Sequence, residues 1–108
     1  MNRGDIYLVD LNPSHGHEQQ GRRPVLIISP DSFNNATGVP VILPITHGGA
    51  FAERIGFAVE ITGITTTGIV RCDQPRAIDI AARNGRHIDT LPQAILDDVM
   101  AKVITIFE

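Results

Sequence analysis

Disulfide cross-linking is excluded first: the 108-residue chain has a single cysteine, Cys72, which has no internal partner. Long hydrophobic runs are missing too. The longest, Pro24 to Ile28 with its neighbours, falls far short of the roughly 20 residues a membrane helix needs. The first residues include Arg3 and Asp5 and no apolar h-region, so a secretory signal is not expected. Lysine is almost absent, with Lys102 the one example, and there are neither repeats nor a linker. Apolar residues at 43% and charged ones at 19% exclude a disordered or low-complexity chain. A chain of this length can bury roughly 65% of its unfolded surface, enough for a core without staples. The expectation is one soluble, cytoplasmic domain.

The net charge of −3 argues against bulk electrostatic binding to duplex DNA. Its distribution is uneven. From residue 89 onward four acids (Asp89, Asp97, Asp98, Glu108) face Lys102 alone, whereas residues 1–88 hold eight acids and eight bases. Those eight bases are all arginine, the cation that makes planar, two-pronged contacts with phosphate.

The apolar pattern predicts mostly strands. Asp5 to Val9 is short and β-rich. Pro24 to Ser29 is a continuous apolar run, buried on both faces if it is a strand. Val39 to Ile45 reads as a strand whose prolines suit an edge or a bulge. Phe57 to Ile61 and Thr67 to Arg71 follow, with Ile78 to Ile80 as a further candidate. Asp31 to Gly38 is read as turn chemistry. Only the end is expected to be helical, at about 92–106. There Ile95, Val99, Val103 and Leu96, Met100, Ile104 form two adjacent i, i+4 rows, opposite Asp97, Asp98 and Lys102. Pro92 suits the first helical position. Such a pattern implies a mainly β domain, a small barrel at about 3–88 or a twisted antiparallel sheet, with a C-terminal helix against it.

Two regions carry chemistry. The loop Ser14-His-Gly-His-Glu-Gln-Gln-Gly-Arg-Arg-Pro24 is crowded with functional groups, as functional loops in compact domains are. His15, His17 and Glu18 suit a divalent metal. No second acid–His cluster completes such a metal site, however, and the loop suits a solvated connector or, better, a metal-free site where His17 handles protons and Arg23 an anion. At a strand end, Arg71 and Asp73 share one side because side chains alternate. They form either a structural ion pair or the cation and acid that phosphodiester cleavage needs. Cys72 then points to the opposite face, into the core, and lacks a base to make it a nucleophile. The Arg3-Gly-Asp5 tripeptide and the sequon at Asn35 are coincidental in such a chain.

Five motifs follow one another in order: Arg3-Gly-Asp-Ile6; Gly16-His-Glu-Gln-Gln-Gly21 with Arg23-Pro24; Pro44-Ile-Thr46; Gly49-Ala-Phe-Ala52 with Gly56-Phe57; and Val70-Arg-Cys-Asp-Gln-Pro-Arg76. Together they closely resemble the MazF/PemK family of toxins, nearest to its PemK (Kid) branch, over nearly the whole chain. The resemblance implies a homodimeric SH3-like β-barrel of the CcdB/PemK type. It also implies a sequence-selective, metal-independent endoribonuclease that acts on single-stranded mRNA without a cofactor and is neutralised by an antitoxin. Arg71, Asp73 and His17 match the catalytic residues. Arg23 and Thr46 match catalytic or phosphate-binding positions, and Phe57 matches the RNA-binding surface, where a base can stack. Gln74 and Arg76, from the same motif as Arg71, are carried as RNA-binding candidates.

The chain departs from close relatives at Ala50, Glu53, Arg54 and the turn near Gly63, which bears on the RNA sequence recognised. The implied chemistry uses the 2′-OH as nucleophile and yields a 2′,3′-cyclic phosphate and a 5′-OH. Asp73 is cast as base and Arg71 as acid. A guanidinium with a pKa above about 12 donates protons slowly, so Arg71 and Arg23 suit phosphorane stabilisation better and His17 is an alternative acid. Two other readings compete: a non-catalytic, gyrase-binding toxin on the same barrel, and a metal-binding domain built on His15 and His17.

Overall fold

The computed structural model describes residues 1–11, 21–47 and 55–108. In chain order these form β1 (Asp5–Asp10), β2 (Arg22–Ile27), α1 (Asp31–Thr37), β3 (Val41–Thr46), β4 (Ala58–Glu60), β5 (Ile69–Arg71), β6 (Arg76–Ala77), β7 (Arg86–Thr90) and α2 (Gln93–Ile104), which runs on into a 3-10 turn at Thr105–Phe107. All strand pairs are antiparallel, in the order β4-β5-β3-β2-β1-β7, with β6 pairing β3 beside β5.

Alternation along these strands splits the core in two. On one face Ile6, Leu26, Leu43, Ile45, Val59, Val70 and Cys72 meet Leu96, Val99 and Val103 of α2. On the other face Val9, Val25, Ile27 and Ile42 are covered by Ile78 and Ile80. The run in β2 is therefore apolar throughout because both of its faces are buried. The outer strand β7 is tied to the loop between β4 and β5. Asp89 of β7 accepts bonds from the N–H and hydroxyl of Thr66 in that loop, both at 3.0 Å.

Four expectations need correction. Asp31–Thr37 is a helix, ended by Gly38 in the left-handed conformation (φ 71°), whose N–H bonds to the Asn34 carbonyl. β3 is interior rather than an edge. Val41 turns its N–H toward Ser29 and its carbonyl toward Ile28, both on the β2 side, so Pro44 faces the other way. On that side the partner changes from β6, ending at Ile42, to β5, starting at Ile45. The missing proline N–H falls in the gap. The strand after the Arg71 motif is Arg76–Ala77, not Ile78 to Ile80, and β7 was not anticipated. Pro92 is the N-cap of α2 rather than its first helical residue.

Candidate active site

The polar end of the second face is assembled by strand register. Val9 pairs with Arg23, and Val25 with Pro44. Continuing the β2–β3 register by two residues puts Arg23 across from Thr46, which itself pairs with Ile69. Arg71, two residues on from Ile69, is on the same face and pairs with Ala58, while Arg76 pairs with Ile42. Arg23, Thr46, Arg71 and Arg76, widely separated in sequence, thus share one face of a curved sheet. Arg23 and Thr46 stand as cross-strand neighbours, about 5 Å apart at Cβ; Arg71 lies one diagonal step from Thr46, and Arg76 pairs further along β3, at Ile42.

Arg71 is the most buried of these arginines, at 8% exposure. A buried guanidinium must be paired. Its Nε donates to Oδ1 of Asp73 at 2.9 Å and its Nη2 to Oδ2 at 2.8 Å, a fork-to-fork pair. The hydrogen bond to Asp73, partly offset by burial, raises the Arg71 pKa above its already high range. Arg71 therefore acts as a fixed positive charge. The Gln74 N–H bonds back to the Arg71 carbonyl at 3.2 Å, closing a tight turn around Asp73. Between the pair, Cys72 is fully buried against the helix-side core, and burial pushes its thiol up to about 12. It is a core residue, as its place in the alternation requires.

Thr46 is also buried, and the chain passes close by it. A Cβ on Gly68 would lie 2.8 Å from the Thr46 carbonyl oxygen, at a φ of +126°, so only glycine fits. Beyond Thr46, the His47 ring nitrogen Nε2 lies 3.0 Å from the Thr67 hydroxyl. Phe57 takes a different position. Its carbonyl accepts the Cys72 N–H at 2.9 Å, but its half-buried side chain packs with the helix-side core. His17, His15, Glu18, Ala50, Glu53 and Arg54 lie outside the described residues. Among the described residues no three His, Cys, Asp or Glu side chains converge as a metal site, and no helix is long and apolar enough to cross a membrane.

A small antiparallel β domain presenting a buried, paired arginine beside two half-buried ones on one face defines an anion-directed site on a compact scaffold. Residues 2–107 match the family of PemK-like, MazF-like toxins of type II toxin–antitoxin systems, and the chain belongs to that family. It is 53% identical to the endoribonuclease PemK of Escherichia coli, covering 98% of this chain and 81% of that protein. It is 36% identical to the endoribonuclease toxin ChpB of Escherichia coli, over 98% of this chain and 93% of that one. Among solved structures, MazF from Deinococcus radiodurans superposes with a TM-score of 0.89 at 28% identity, covering 99% of this chain and 96% of that one. A MazE–MazF structure from the same organism superposes at 0.83, with 28% identity over 99% of this chain and 95% of that one.

Proposed function

We propose that this toxin-family endoribonuclease cuts single-stranded mRNA at selected sequences through the RNA's own 2′-hydroxyl, without a metal. The O2′–P bond forms as the P–O5′ bond breaks. The O2′ proton passes to a protein base and the departing O5′ takes one from a protein acid, leaving a 2′,3′-cyclic phosphate and a 5′-OH. The observation that carries this reading is the Arg71–Asp73 fork on the face shared with Arg23 and Thr46. A carboxylate has about four lone-pair sites, so Asp73 can hold Arg71 and still accept from a 2′-OH. Arg71, with Arg23, supplies fixed charge to the phosphorane. His17 is the acid, and Thr46, Gln74 and Arg76 hold the flanking phosphates and bases. The gyrase-binding alternative is not favoured: such a toxin has no need of this fork, and the relatives are named endoribonucleases.

The cognate antitoxin is expected to occupy the same face with an acidic segment, since arginine forks accept carboxylate as readily as phosphate. The working form is a homodimer, whose two copies build a longer RNA groove than one small domain offers. The test is Arg71→Ala, Asp73→Ala and His17→Ala on a defined transcript. Each is expected to lose 10²–10⁴ in cleavage rate with RNA binding largely kept. Full activity in all three would reject the assignment.

A further inference from the structure

Asp89 lies on β7, outside every motif that marks the cleavage site, yet both of its carboxylate oxygens are engaged. Oδ2 accepts the Thr66 N–H and the Thr66 hydroxyl, both at 3.0 Å, and Oδ1 accepts the Thr90 N–H at 3.1 Å. Across the β1–β7 ladder Asp89 pairs with Ile6, a residue of the helix-side core. The loop that brings Thr66 to it runs over the same core, with Ile61 buried there and Ile64 packed against it. The stems of that loop close through the Ile61 N–H, which bonds to the Gly68 carbonyl at 3.0 Å.

The two residues after Thr66 reach the site. The Thr67 hydroxyl lies 3.0 Å from Nε2 of His47, the residue that follows Thr46. Gly68 packs directly on Thr46: a Cβ there would meet the Thr46 carbonyl oxygen at 2.8 Å and Cγ2 of Ile45 at 3.2 Å. Ile69 then pairs with Thr46 in the β3–β5 ladder. Three consecutive residues thus fasten the chain in two directions, Thr66 to β7 and Thr67 and Gly68 to the end of β3. Thr66 and Gly68 are two peptide units apart, a span of about 7 Å at most, which leaves little slack between the two attachments.

We propose that Asp89 is a positioning residue for RNA cleavage: by holding Thr66 it seats Gly68 against Thr46, and so fixes Thr46 for the substrate. This rests on the reading of Thr46 as a residue that holds the RNA beside the cut. Ordering the loop at 62–67 costs conformational entropy, which the Asp89 contact offsets. Without that contact the 66–68 strip samples more conformations, and Thr46 loses the fixed wall behind its carbonyl. Because Thr46 holds substrate rather than moving its protons, the cost falls on KM more than on kcat. Asp89 need not touch RNA to act.

Two measurements on the intact protein test this. Hydrogen exchange without RNA reads the hold itself. Asp89→Ala is expected to speed exchange at Ile61 and Ile69 by about tenfold, leaving Leu26 and Leu43 unchanged. Asp89→Asn, whose amide oxygen still accepts, should fall in between. No acceleration at Ile61 and Ile69, or an equal one at Leu26 and Leu43, overturns the proposal. The second measurement is a double-mutant cycle on KM with a defined transcript. Asp89→Ala alone is expected to raise KM about tenfold with kcat kept within about threefold, and to add little to the rise caused by Thr46→Val. An equal rise in both backgrounds, or a loss confined to kcat, also overturns it. A wild-type KM in Thr46→Val would instead remove the reading of Thr46, and the exchange result would still decide whether Asp89 holds the strip.

Discussion

Asp73 receives Arg71 through both carboxylate oxygens, at 2.9 and 2.8 Å, while the residue between them, Cys72, is turned into the opposite core. The pair holds a guanidinium in a buried position that it could not occupy alone, and fixes which of its edges remain for a substrate phosphate. Asp73→Ala strands that charge and should cost about 2–3 kcal/mol of stability. Adding Arg71→Met to Asp73→Ala should recover part of that loss in urea melts while cleavage stays abolished. A double variant no more stable than Asp73→Ala would show that the fork contributes no stabilising pairing.

Arg71→Lys keeps the charge but cannot make two parallel bonds with Asp73. It should fold and still bind RNA, yet cut about 10²-fold more slowly in single-turnover assays. Wild-type cutting by the lysine variant would mean that charge alone is needed.

Cys72 should resist thiol reagents in the native protein at pH 8 and react once urea unfolds it, since only the thiolate reacts and burial lifts its pKa to about 12. Because the folded pKa is raised from an ordinary value of 9.0, this group's stabilising contribution is complete below about pH 9. It is then lost as pH climbs toward 12. In Cys72→Ala the alkaline decline in Tm should be shallower.

Asp89 tests the acid side. Backbone and side-chain hydrogen bonds from Thr66 lower its pKa below the usual 3.8. Its stabilising contribution is therefore present above pH 3.8 and lost as pH falls through the depressed value. Asp89→Asn should lower Tm at pH 7, and the gap from wild type should close as the buffer is taken below pH 3. A gap independent of pH would mean that the join between β7 and the Thr66 loop does not depend on charge.

Much of the architecture was legible because burial leaves a periodic trace. The double-faced burial of β2 and the α2 stripe from Ile95 to Val103 both show as apolar patterns. Where burial is slight, the trace fades. α1 buries only Asn34, so Asp31–Thr37 carries no apolar stripe; its signs were Pro30 before it and Gly38 after it. β7 is an outer strand of exposed or half-buried residues, Arg86 to Thr90, with nothing alternating to read. Pro44 misled because a proline in a strand normally marks an edge, and the change of partner from β6 to β5 is a tertiary fact. In the site, the Arg71–Asp73 pairing followed from spacing alone. The meeting of Arg23 with Thr46 did not, because the pairing of β2 with β3 is a tertiary fact that leaves no mark in sequence.

Cleavage through the 2′-hydroxyl is the central claim, and one experiment addresses it directly. A transcript cut by the protein in EDTA is mapped, and a short oligonucleotide spanning the cut is made twice, as RNA and with a single 2′-deoxy sugar on the 5′ side of the cut. The all-RNA strand should be cleaved in EDTA to a 2′,3′-cyclic phosphate and a 5′-hydroxyl, and the substituted strand should bind but stay intact. Cleavage of the substituted strand, a 5′-phosphate product, or activity lost in EDTA and restored by Zn²⁺ would contradict the account.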